Sequence, residues 1–236
     1  MNRQAQAVIM LLFGGAILKA SLGDLYLRYV KEGLQPFLIG AGLLLVAAGV
    51  MTLWYELRPR GAAAAAPDDH HEPRVGWLLI LPVLGLLLVA PPALGSYAAG
   101  QAGSVLSAQG SESDYPPLPA GDPVDVGLLD YASRAVFDQG RSLTGRTLRL
   151  TGFVTPGPDG EPMLARMVLS CCAADGRPIK VGLTGNGPTG AAPDTWVQVV
   201  GEYSAQVGED PVNGADVPYL RVRSWQEVTP PKQQYE

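Results

Sequence analysis

The run Met163-Leu164-Ala165-Arg166-Met167-Val168-Leu169-Ser170, then Cys171-Cys172-Ala173-Ala174-Asp175-Gly176-Arg177-Pro178, then Ile179-Lys180-Val181-Gly182-Leu183, reads as strand, turn, strand. Two short apolar runs flank a segment of small residues, a glycine and a proline, which is how a chain is patterned when two strands are joined by a turn. The turn carries both cysteines of the chain, side by side, with a carboxylate three residues on.

Upstream, Leu148, Leu150 and Gly152 alternate with Arg149, Thr151 and Phe153, a period of two. Pro156-Gly157-Pro158-Asp159-Gly160 then reverses the chain, its Asp-Gly pair suiting turn conformations that strands disfavour. Downstream, a Gly/Pro-rich loop over 185–193 precedes the alternating run Trp196 to Tyr203. Tyr219 to Val228 closes the series, with Leu220, Val222 and Ser224 opposite Arg221, Arg223 and Trp225. Five strands within residues 146–228 predict a small closed or partly closed β-barrel of OB-like topology, because closure removes exposed edges in so short a domain. A small β-sandwich is the alternative. Asp125 to Phe137 is predicted to form a short helix that caps the domain, with Leu128, Leu129, Ala132, Ala135 and Val136 near one face, inside a helix-and-linker region 127–145. Residues 94–126, rich in Gly, Ser, Ala and Pro, read as a flexible tether, and 229–236 as a tail.

The first ninety or so residues have a different chemistry. Ala5 to Leu18 is apolar apart from Gln6, and Pro36 to Tyr55 carries no charge over about the ~20 residues needed to cross a bilayer. Val75 to Ala93 is a third uncharged run, interrupted by Pro82 and ended by Pro91-Pro92. Three transmembrane helices over 5–22, 36–56 and 75–93 are expected. A cleaved signal peptide is the alternative for the first, but Lys19 in the tail of its apolar core does not suit a cleavage site. Gly40, Gly42, Ala47, Ala48 and Gly49 suit close helix packing. Between the second and third runs, Pro67-Asp68-Asp69-His70-His71-Glu72-Pro73 holds both histidines of the protein among carboxylates, a weak metal patch or a solvated loop.

Orientation follows the basic residues. The N-terminus and second loop carry Arg3, Arg58, Arg60 and Arg74, the first loop Lys19, Arg28 and Lys31, and nothing basic follows Ala93 until Arg134. The expected arrangement is a plasma-membrane, multi-pass protein with a cytoplasmic N-terminus and an extracytoplasmic barrel. The net charge of −5 splits accordingly: 7 Lys+Arg against 6 Asp+Glu up to Ala93, and 10 against 16 beyond it. A domain of net −6 is ill suited to phosphate backbones, so no nucleic-acid partner is expected. Two cysteines cannot make a disulfide scaffold.

The Cys-Cys turn admits four readings. Thiolates of Cys171 and Cys172 with the carboxylate of Asp175 suit zinc or a softer ion, provided the chain bends, since adjacent strand residues face opposite ways. An oxidising exterior could join the pair as a strained vicinal disulfide acting as a switch. The turn could dock a partner protein. Finally, one or both cysteines could fill the barrel core as small apolar residues. Arg166 is placed to pair with Asp175 or an anion, or to stand exposed on its strand. The sequence holds no Ser/His/Asp set and no phosphate-cradling glycine loop opening a helix, so the protein is not expected to be an enzyme.

With these residues in view, the chain resembles the YcgQ-like family of small bacterial membrane proteins, partners of YcgR-type permeases. The resemblance covers most of the length. It rests on the apolar N-terminal segments, His70-His71, Pro91-Pro92-Ala93-Leu94-Gly95-Ser96, Gly152-Phe153-Val154, Arg166 and Cys171-Cys172-Ala173-Ala174-Asp175. It implies an accessory membrane subunit of a two-component permease, with Cys171, Cys172 and Asp175 as working residues, Arg166 in support, and a link to zinc supply. The alternative is a stand-alone extracytoplasmic metal-binding or redox-sensing membrane protein.

Overall fold

A computed structural model describes residues 3–58, 85, 92–107 and 115–236. The chain divides into two compact units, Met1–Pro92 and Ala93–Glu236.

In the first unit, helices α1 (Arg3–Leu22) and α2 (Gln35–Leu57) are each long and apolar enough to cross a membrane. They pack antiparallel through small residues. A Cβ on Gly42 would lie 2.8 Å from Leu18 Cγ and 3.3 Å from the Gly14 carbonyl, and one on Gly49 would lie 2.9 Å from Leu11 Cγ and 3.1 Å from the Ala7 carbonyl. Backbones approach this closely only where side chains are absent, the usual device for packing helices without a hydrophobic driving force. Gly42 and Gly49 thus serve the contact the sequence suggests, whereas Gly40 faces open space. Gln35 Nε2 donates to the Ser21 carbonyl at 2.9 Å across the connection, and Arg3 lies 3.8 Å from Glu56 at the other end. The expected third span and the histidine loop fall almost wholly outside the described residues.

The second unit is a closed five-stranded barrel. Its strands are β2 (Thr147–Pro156), β3 (Pro162–Val168), β4 (Arg177–Gly185), β5 (Trp196–Glu209) and β6 (Asp216–Glu227), preceded by the short β1 (Val124–Asp125) parallel to β2. Around the barrel the order is β2-β3-β4-β6-β5, closed by β5 pairing back to β2; β4 and β6 run parallel and the other barrel pairs antiparallel. β2 pairs with β5 over Thr147–Phe153, with β3 over Phe153–Pro156 and with β1 at Leu148 and Arg149. At Gly152 the neighbouring strand comes close, and a Cβ there would stand 2.6 Å from the Ala165 carbonyl. All five strands lie where the alternation puts them, and Gly160, at φ +77°, makes the Asp-Gly turn.

Inside the barrel, Leu148, Leu150, Leu164, Ile179, Val181, Val199, Leu220 and Val222 form one cluster. Helix α4 (Leu128–Phe137), which follows a shorter helix α3 (Ser96–Gln101), touches all five barrel strands and adds Leu128, Tyr131, Ala132 and Ala135 to that cluster. It is the expected cap. The buried Tyr131 hydroxyl donates to the Tyr219 carbonyl at 2.6 Å, and burial pushes its pKa well above the ordinary phenol value.

The tether expected over 94–126 is corrected by the packing of its described residues. Ala99 on α3 is fully buried against Phe153, Ala165, Met167 and Trp196 on the outer face of the barrel. The Ser96 backbone N–H and hydroxyl both donate to the Asp194 carboxylate. Ser104 is buried, with its N–H on Asp210 at 3.1 Å, and Leu106 and Leu118 join the inner cluster. The small residues that make a segment look flexible also let it lie close against a sheet. The tail is likewise docked: Tyr235 bridges in parallel to Met167 and is buried with Trp196.

Candidate functional site

The chain leaves β3 at Val168 and enters β4 at Arg177, and between them Ala173–Asp175 forms a single 3-10 turn. Two backbone bonds define it, Asp175 N–H to the Cys172 carbonyl at 3.0 Å and Gly176 N–H to the Ala173 carbonyl at 3.3 Å. The Asp175 carboxylate folds back over the start of the turn. Oδ1 accepts from the Ser170 N–H at 2.9 Å, while Oδ2 accepts from the N–H groups of Cys171 at 2.8 Å and Cys172 at 3.2 Å. Oδ2 also accepts from Cys171 Sγ, 2.9 Å away. This supplies the bend that a pair of adjacent ligands requires, and one ligand atom from each of Cys171, Cys172 and Asp175 lies within 4.8 Å of the other two.

The electrostatics follow from those bonds. The Cys171 thiol and three backbone N–H groups hold the Asp175 carboxyl down to about 2. The carboxylate in turn holds the Cys171 thiol protonated, its pKa pushed up to about 11 by the hydrogen bond to Asp175 and then by Cys172. Activated thiols sit among positive charges and have depressed pKa values, and this one is arranged the opposite way. A bound cation would reverse the balance, because its charge favours thiolates and displaces their protons.

Cys171 is exposed, Cys172 half-buried, and both are free thiols, which corrects the reading that they fill the barrel core. Beneath the turn, Gly176 lies against an apolar floor: a Cβ there would stand 2.7 Å from Leu94 Cδ1 and 3.1 Å from Leu169 Cδ2. Leu94 is itself fixed by its N–H donating to the Tyr235 hydroxyl at 2.9 Å. The turn therefore rests on two segments distant in sequence that composition marks only as tether and tail.

Arg166 does not reach Asp175. Its Nη1 lies 3.2 Å from Glu236 Oε1, its Nη2 donates to the Gln233 carbonyl at 2.8 Å, and its guanidinium lies over the Trp196 ring. The side chain is 16 % exposed, so the freely exposed reading is corrected as well. The physical reason is that β3 turns this side chain toward the docked segment 233–236, which offers a carboxylate and several carbonyls at once. His70 and His71 lie outside the described residues, and among those that are described no other Cys, His, Asp or Glu joins the turn's cluster.

Residues 134–236 match the DUF1980 C-terminal domain. The matched region holds the end of α4, the whole barrel, the Cys-Cys turn, Arg166 and Glu236. The match gives a domain over this part of the chain and no permease partnership. No curated protein and no solved structure matches the chain.

Proposed function

We propose that the protein is a membrane-anchored accessory subunit of a two-component permease whose OB-like barrel presents the Cys171–Cys172–Asp175 turn, outside the cytoplasm, to a zinc-like or softer cation. The observation that carries the reading is the convergence of the three donor atoms within 4.8 Å on one accessible turn. Thiolates with a carboxylate suit zinc and softer ions better than magnesium or calcium. The barrel's strand order, with its parallel β4–β6 pair, supports the OB-like description. Two helices able to span a bilayer support the membrane anchor, and a third over 75–93 belongs to the same reading. The permease role is carried by the family resemblance of the cysteine turn in its β setting. The proposed work is binding and presentation rather than catalysis.

The decisive experiment loads reduced, detergent-solubilised protein with zinc and weighs it under native conditions. One zinc per chain is expected, lost in Cys171→Ser with Cys172→Ser; a mass without zinc overturns the metal reading. Affinity purification in mild detergent tests the permease: a multi-span membrane protein should co-purify, and its absence leaves the stand-alone metal-binding protein. Protease added to spheroplasts should cut the barrel from outside, whereas protection until lysis would overturn the orientation.

A further inference from the structure

We propose that the Cys171–Cys172–Asp175 turn is a hand-over site, one that holds a divalent cation from one side only and yields it to a ligand on a second molecule by associative exchange. The inference rests on the metal reading above and adds how the ion leaves.

Three observations carry it. All three donors come from five consecutive residues on one turn, so they can surround only one hemisphere of an ion. Cys171 is exposed, so an ion held there is accessible from outside, and among the described residues no further ligand-forming side chain joins the three. Structural zinc sites are closed by four protein ligands, whereas sites that act on the bound ion's coordination keep a position open. Beneath the turn the floor is Leu94 and Leu169, which offer no donor.

The third observation concerns Asp175. Its carboxylate already has three backbone partners, the N–H groups of Ser170, Cys171 and Cys172. It is therefore the ligand with somewhere else to go. On loading, the two thiols release two protons to solvent and the cation takes the place of the Cys171 proton beside Oδ2. On exchange, a thiolate, imidazole or carboxylate of the second molecule bonds to the metal at the open face. The metal–Oδ bond then breaks and the carboxylate falls back onto its N–H groups. The two metal–sulfur bonds follow, each sulfur recovering a proton from solvent as the ion departs. No electron changes hands.

The test uses the full chain in detergent, cadmium as the probe and a chromophoric pyridylazo-resorcinol chelator as the second molecule. Cadmium should give a thiolate charge-transfer band that saturates at one ion per chain and disappears in Cys171→Ser with Cys172→Ser. Stopped-flow release into the chelator should then quicken in proportion to chelator concentration. A band with a release rate independent of chelator overturns the hand-over and leaves metal binding standing, while no band overturns the metal reading itself. Asp175→Asn should keep the band and raise the release rate by about tenfold; an unchanged rate removes Asp175 from the exchange. Should that variant fail to fold, the chelator dependence of the natural chain still decides the proposal.

Discussion

Glu236 Oε1 lies 3.2 Å from Arg166 Nη1 and 2.8 Å from the Leu128 N–H, so a single carboxylate oxygen joins a barrel strand to the helix that caps the barrel. Its other oxygen accepts from the Leu129 N–H at 2.7 Å. The first two N–H groups of α4 would otherwise lack partners, and the negative charge sits at the positive end of the helix. The cap is supplied here by a residue about a hundred positions away rather than by Gly127, which has no side chain to offer.

Glu236→Ala should therefore loosen α4 and the docked segment together. A loss of about 1–3 kcal/mol is expected, read as a lower urea midpoint for the barrel. Amide exchange should quicken at Leu128 and Leu129 and at 233–236 in the same variant, while exchange at the first of these sites alone would show that the clasp is not shared.

Lys180 and Asp210 form a buried ion pair at 2.9 Å, with Lys180 also donating to the Ala102 carbonyl and Asp210 accepting from the Ser104 N–H. Removing one partner strands the other's charge. Lys180→Met should cost about 3–5 kcal/mol of unfolding free energy, against under about 1 kcal/mol for the exposed Arg223–Glu202 pair.

The turn should respond to pH in two separate windows. Asp175 has a folded pKa below its unfolded value, so its contribution is present above about 4 and is lost as pH falls through about 2. Cys171 has a folded pKa above its unfolded value of 9.0, so its contribution is complete below 9 and is lost as pH rises through about 11. Backbone amide shifts of Ser170, Cys171 and Cys172 should titrate near the lower value. Alkylation of Cys171 at neutral pH should run roughly tenfold slower than that of a free thiol, and Asp175→Asn should remove most of the difference.

Helix packing in the first unit is tested by cross-linking. With Cys171→Ser and Cys172→Ser as background, Arg3→Cys with Glu56→Cys should be joined by a short bis-maleimide in membranes, since these side chains lie 3.8 Å apart across α1 and α2. Adding Gly42→Leu should reduce the yield of this cross-link several-fold, because a Cβ there already overlaps Leu18.

Much of this protein is written locally. Alternation of Leu148 and Leu150 with Arg149 and Thr151, and the Asp159-Gly160 turn, state five strands because side-chain direction in a strand depends only on parity. Two apolar runs state two membrane-length helices by length alone. Cys171, Cys172 and Asp175 were legible as one site because all three fall within five residues. What only the tertiary structure decided is everything that joins distant segments: Arg166 taken by Glu236 instead of Asp175, Leu94 and Tyr235 beneath the cysteine turn, and Ser104 on Asp210. Such contacts depend on how the closed barrel brings its ends and outer face to the flanking chain, and no periodicity records that. Composition even pointed the other way, since the small residues of 94–107 that suggest a loose tether are the ones that allow it to lie flat on the barrel.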